Sequence, residues 1–183
     1  MHDIEPFYNW RHLYISEEDS MSPFYGREYS DIFFSHAVYN YYIHPQWDDF
    51  GSNTLYLKII FADYRSRTAI IEFIGEWNDL LYNDIMFLKR NVIEPLIESG
   101  ISQFILIGEN VLNFHYSDTD YYEEWLEELD EGWITCIGFL PHVVQDMRKS
   151  RISRYFTIND ELNDLNWRTY LPDNLILKVE SML

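Results

Sequence analysis

The stretch Ile101-Ser-Gln-Phe-Ile-Leu-Ile-Gly108 decides how this chain is read. It is short and apolar, starts just after Gly100 and closes on a second glycine. That is the pattern of a strand buried on both faces. Glu109 to Ser117 follows as a loop, and Asp118-Thr-Asp-Tyr-Tyr-Glu-Glu-Trp125 opens a helix. A strand that runs through a loop into a helix N-terminus is where open α/β sheets place their ligands. The expected functional surface is therefore the loop from Glu109 to Asp120. Its expected contacts are His115, Tyr116, Ser117 and Asp118, with Phe114 as an inward anchor.

Working outward towards the N-terminus, Leu55 to Phe61 and Ala69 to Ile74 read as two strands of a hairpin joined across Asp63 to Arg67. Lys58 and Glu72 fall inside these strands and are expected to face solvent. Gly75 is read as the end of the second strand. Glu76 to Ser99 then reads as one long helix, with Leu81, Ile85, Leu88, Val92, Leu96 and Ile97 as its buried stripe. Asn78 or Asp79 is its expected N-cap, Pro95 should kink its last turn, and Gly100 should stop it.

Towards the C-terminus, a helix is expected from about Asp120 to Leu129, with Asp120 and Glu123 as a capping box. Trp133 to Gly138 reads as a strand, Pro141 as the start of a helix, and Ile152 to Ile158 as a last strand. The remainder reads as helix in two pieces separated by Pro172. The alternation predicts an α/β fold, a mixed β-sheet with helices and a largely parallel core. Residues 1–53 differ from the rest. Fourteen of the first fifty residues are aromatic, with Arg11 and Arg27 as their only Lys or Arg. They read as an aromatic-rich N-terminal extension, ordered and packed on the core or a partner, with one strand expected within Phe33 to Ile43. Nothing marks a domain boundary, so the expectation is one domain over 1–183, with 1–53 as extension and 54–183 as α/β core.

The chain has 183 residues and a formal net charge of −18. That balance repels nucleic-acid phosphates and anionic lipid and favours partners carrying positive charge. The single cysteine, Cys136, permits no internal disulfide, so a reducing, cytoplasmic setting is expected. The N-terminal Met1 to Pro6 lacks the features of a signal peptide, and no apolar run approaches the ~20 residues of a membrane span.

Residues 54–165 resemble a STAS domain, the fold of bacterial anti-sigma-factor antagonists. The likeness rests on the hairpin followed by a helix and a central strand, on Gly132-Trp-Ile-Thr-Cys-Ile-Gly-Phe-Leu-Pro141, and on Val143, Val144 and Met147 leading to Ile152 and Phe156-Thr-Ile158. The resemblance implies a regulatory module that meets a partner protein at the loop after the central strand. It also matches Ser117 to the family's phosphorylated hydroxyl. The family's aspartate and glycine are here His115 and Asp118. A phosphate would sit beside Asp118, Asp120, Glu123 and Glu124, which argues against a phosphorylation switch.

Other clusters have plainer explanations. His115 with Asp118 and Asp120, or His44 with Asp48 and Asp49, have the chemistry of a cation site, but capping and turn formation account for both. Glu76 and Asp79 suit a helix N-terminus, and Cys136 reads as a packing residue. The basic cluster Arg148, Lys149, Arg151 and Arg154 suits either a helix C-terminus or an acidic partner, including a second copy of the chain. No cofactor and no tightly bound metal is expected. The first functional reading is a non-enzymatic, STAS-like protein–protein interaction module, with self-association as one option. The alternatives are a small metal-dependent or acid–base enzyme using the His115 loop, and a ligand-binding protein with an aromatic pocket between extension and sheet.

Overall fold

A computed structural model describes residues 4–30 and 32–183. Residues 1–3, part of the segment read above for a signal peptide, lie outside the described residues. The chain is an α/β protein built on a four-stranded mixed sheet. Its strands are β3 (Leu55–Asp63), β4 (Thr68–Asn78), β5 (Gln103–His115) and β6 (Trp133–Ile137), in that spatial order. β3 and β4 form the antiparallel hairpin, while β4–β5 and β5–β6 are parallel. The central apolar stretch thus lies inside the sheet, as a strand buried on both faces must. A separate small hairpin, β1 (Ala37–Val38) and β2 (Tyr41–Tyr42), precedes the sheet. It turns through Tyr39 and Asn40, both at positive φ, so the single strand expected within Phe33 to Ile43 is broken by a tight turn.

The expected helix at 76–99 is instead four pieces. β4 continues through Gly75 to Asn78, and α1 (Asp79–Tyr82) starts there with the Asn78 side chain accepting from the Leu81 amide at 3.0 Å. Asn83, in the left-handed region, ends α1 and precedes α2 (Asp84–Leu88). A π-helical turn, Lys89–Ile93, links α2 to α3 (Glu94–Glu98). Pro95 has no amide hydrogen to continue the α-helical ladder, and the wider turn just before it absorbs that interruption. Leu81, expected in the buried stripe, is exposed on the short α1.

Gly75 and Gly108 do not end strands. A Cβ on Gly75, at φ +121°, would lie 2.1 Å from the Thr54 carbonyl oxygen, and one on Gly108 would lie 2.4 Å from the Phe139 ring. Both glycines allow close approach within continuing strands. β5 therefore reaches His115, with Trp77 opposite Phe114 and Asn78 opposite His115. The connection to α4 (Asp120–Glu127) is short, and the long loop expected from Glu109 is mostly strand. No capping box forms, because Thr119 is the N-cap and makes no side-chain cap bond. Past Ile107, β5 has no β6 partner. The Nε2–H tautomer of His142, on α5 (Pro141–Lys149), donates to the Leu112 carbonyl at 2.7 Å and covers part of that edge. The last expected strand shrinks to one parallel bridge between Thr157 and Thr135, after a 3₁₀ turn at Ile152–Arg154.

One face of the sheet packs on α2 through α5, with Leu57, Phe73, Phe104 and Leu106 against Leu88, Val92, Trp125 and Met147. The other face is covered by both ends of the chain. Phe7, Trp10 and Trp167 meet edge to face at 4.8–5.6 Å between ring centres, over Ile70, Ile105 and Ile107. α6 (Asp160–Asn163) and α7 (Pro172–Glu180) contribute Leu162, Leu175 and Val179 to the same layer. Val38, Ile43 and Trp47 cover Tyr56 and Ile74.

This second cover overturns the expectation that Lys58 and Glu72 face water. The two are cross-strand partners on the covered face, and both are buried. Glu72 accepts from the Phe7 amide at 2.7 Å and lies 3.5 Å from Arg168. Arg168 also pairs with Glu109 at 2.6 Å. Burial pushes the Glu72 carboxyl up to about 7, against the pull of the Phe7 amide and Arg168.

Asp79 is raised to about 7 as well, by burial acting against hydrogen bonds from Tyr122 and the Ile85 amide. In the unfolded chain both groups titrate near pH 4. Between about pH 4 and 7 the folded chain therefore holds protons that the unfolded chain has released, so stability falls as pH rises through that window and levels off above it. Glu17, Asp63 and Glu94 are held low and act the other way, with stability lost below about pH 4.5. Burial raises Asp48 and Asp84 as well, so urea titrations between about pH 5 and 8 should show this decline, reduced but not abolished in Glu72→Gln, whose amide oxygen still accepts from Phe7. An unchanged decline in the variant contradicts the assignment.

Candidate functional site

The parallel strands β4 and β5 end side by side at Asn78 and His115, which fixes the position of everything beyond them. His115 Nε2 lies 3.1 Å from Glu76 Oε1, and the Asn113 amide donates to the Tyr39 hydroxyl at 2.6 Å. The small N-terminal hairpin is thereby held at the same end of the sheet. A groove of about 290 Å³ opens there, lined by Leu80, Phe114, His115, Tyr116, Asp146 and Lys149. Phe114 is buried, as expected of an anchor, and Tyr116, Ser117 and Asp118 are exposed.

The structure adds two exposed leucines, of which Leu81 is expected from the sequence in the buried stripe. Leu80, which lines the groove with the half-exposed Tyr116, is 65% exposed, and Leu81, next to it in the chain, is 71% exposed. The signal for them is the doubled Asn-Asp pair in Asn78-Asp-Leu-Leu-Tyr-Asn-Asp84. Two N-cap signals in succession divide one apparent helix into two. Buried carboxylates brace the turn between them. Asp84 accepts from Ser52 at 2.6 Å and the Asn78 amide at 2.7 Å, and Asp79 accepts from the Tyr122 hydroxyl at 2.6 Å. The leucines are thus presented by a rigid turn.

The basic cluster is divided. Lys149 enters the groove and pairs with Asp146 at 3.0 Å, while Arg148 pairs with Asp160 at 2.8 Å. Arg151 and Arg154 are exposed and, among the described residues, have no acidic partner. Following Tyr116 in the chain, residues 117–131 contain eight carboxylates and no Lys, Arg or His. Glu124 and Glu128 meet Lys89, and Asp130 meets Arg67. Asp118, Asp120, Glu123, Glu127 and Glu131 stay exposed with no basic partner among the described residues. The groove itself thus mixes apolar Leu80 and Phe114 with His115, Tyr116, Asp146 and Lys149, and the acidic segment follows it in the chain.

Neither histidine cluster converges as a cation site. Among the described residues, the one group of three with ligand-like spacing is Glu94, Glu124 and Glu128. The fully buried Lys89 ammonium lies among these carboxylates, 3.0 Å from Glu94, 3.7 Å from Glu124 and 2.6 Å from Glu128. It supplies the cation itself and ties the π-helical turn to α4. Cys136 is fully buried, and burial raises its thiol far above the ordinary range, so it is no nucleophile. No protein-family model, curated protein or solved structure matches the chain. Lys89→Met should lower stability by about 1.5–3 kcal/mol in urea titrations, because it removes the buried cation from Glu128 and leaves Arg90 alone to meet Glu94 and Glu124. A midpoint like that of the parent chain would show that the cluster is solvated and makes no structural contribution.

Proposed function

We propose that the protein is a non-enzymatic interaction module that docks a basic, partly apolar protein partner at the carboxyl end of β4 and β5. The observation that carries this reading is the exposure of Leu80, Leu81 and Tyr116 at the carboxyl end of the sheet, followed in the chain by the segment 117–131 with eight carboxylates and no Lys, Arg or His. Exposed apolar side chains grouped beside charge of one sign are the surface character of a protein contact. The net charge of −18 would also steer a basic partner towards it.

The role agrees with what the STAS resemblance implies for the segment around His115, Tyr116, Ser117 and Asp118. A phosphorylation switch at Ser117 forms no part of the proposal, since the neighbouring carboxylates repel phosphate. An acid–base enzyme finds less support. The carboxyls raised to about 7, Glu72 and Asp79, are buried in hydrogen bonds that hold the fold together.

The test is affinity capture compared across three proteins. These are the parent chain, Leu81→Asp, and the double variant Glu123→Lys with Glu127→Lys. The expected result is a basic protein captured by the parent and lost from both variants, with melting temperatures nearly unchanged and with capture weakening as salt rises. Equal capture by all three would overturn the reading.

A further inference from the structure

A second cavity, of about 270 Å³, lies on the opposite face of the sheet between the N-terminal segment and β3. It shares no lining residue with the groove at the carboxyl end. Its apolar surface comes from Phe7, Tyr14, Ile15 and Ile60, and Tyr8, 60% exposed, stands at its rim. Its polar surface is unusual because its two fixed cations, Arg11 and Lys58, are already paired. Arg11 pairs with Glu17 at 3.1 Å, Lys58 with Glu17 at 3.2 Å and with Asp48 at 3.2 Å, and His44 Nε2 lies 3.5 Å from Glu5. Burial acts to raise the Glu17 carboxyl, but the charge of Lys58 together with hydrogen bonds from Lys58, Ser16 and the backbone hold it below its ordinary value.

This pattern constrains the ligand. A net charge on the occupant would compete with one of these pairs and leave a partly buried ion without its partner, which is costly. A hydroxyl has no such conflict, since it can donate to a carboxylate and accept from the neighbouring ammonium or guanidinium. Exposed tyrosine at the rim offers a flat apolar face beside these polar groups. The volume lies at the small end of ligand pockets, enough for one ring. We propose that this cavity binds an uncharged, polyhydroxylated ligand of monosaccharide size, with a ring face on Tyr8 and hydroxyls on the Arg11–Glu17–Lys58 pairs. The latch between Phe7 and Glu72 holds the segment that forms the cavity wall.

The experiment is saturation-transfer NMR on the full chain. The neutral probes are glucose, galactose and mannose, compared with glucuronate as an anion and glucosamine as a cation. Transfer should reach the ring hydrogens of at least one neutral hexose and exceed that to both charged sugars. Tyr8→Ala, an exposed position that leaves the fold intact, should weaken that binding about two- to tenfold. Glu17→Gln, checked for folding by its melting curve, should weaken it as well. Absence of transfer to all three neutral hexoses, stronger binding of either charged sugar, or binding unaffected by Tyr8→Ala would each overturn the proposal.

Discussion

The carboxylate of Glu72 is the point on which both ends of the chain converge. It sits mid-strand in β4, fully buried, and accepts the Phe7 amide from the N-terminal segment. Arg168, from the C-terminal segment, reaches both Glu72 and Glu109 and lies over the rings of Phe7 and Trp167. A buried carboxylate without such partners would be strongly unfavourable, so the two covering segments depend on each other through this group. The aromatic contacts of Phe7, Trp10 and Trp167 then exclude water from the cluster. Each fully buried ring contributes on the order of 1.5–3 kcal/mol. The constraint is therefore both polar and apolar.

That arrangement explains which parts of the fold were legible in the sequence. The hairpin, the buried central strand and the helix at Pro141 are set by local periodicity and form where the pattern puts them, although β4 and β5 run on past their glycines. Lys58 and Glu72 were misplaced for the opposite reason. Their burial is imposed by Glu17, Tyr29 and Asp48, and by Phe7 and Arg168, all distant in sequence. The aromatic richness of residues 1–53 did indicate packing, but it could not say against which face.

Glycine was the other source of error. Gly75 and Gly108 were read as punctuation, whereas each makes room for another part of the chain, the Thr54 carbonyl and the Phe139 ring. Because β5 runs on past Gly108, His115 moves from mid-loop to a strand end, beside Glu76. The contact residues chosen from the sequence stayed at the carboxyl end of the sheet. Their neighbours Leu80 and Leu81 were legible only as a repeated Asn-Asp cap, a signal overshadowed by the helical periodicity around it.

With one face of the sheet under helices and the other under the chain termini, interaction surfaces fall at the strand ends and in the gap beneath the N-terminal segment. Both depend on that segment being part of the folded core. Native-state hydrogen exchange of the Phe7 amide tests this most directly, since its hydrogen is donated to Glu72. The account predicts that Phe7 exchanges only through global unfolding, with the same protection as Ile105 in the central strand. Exchange at the rate of an unprotected loop amide would contradict it.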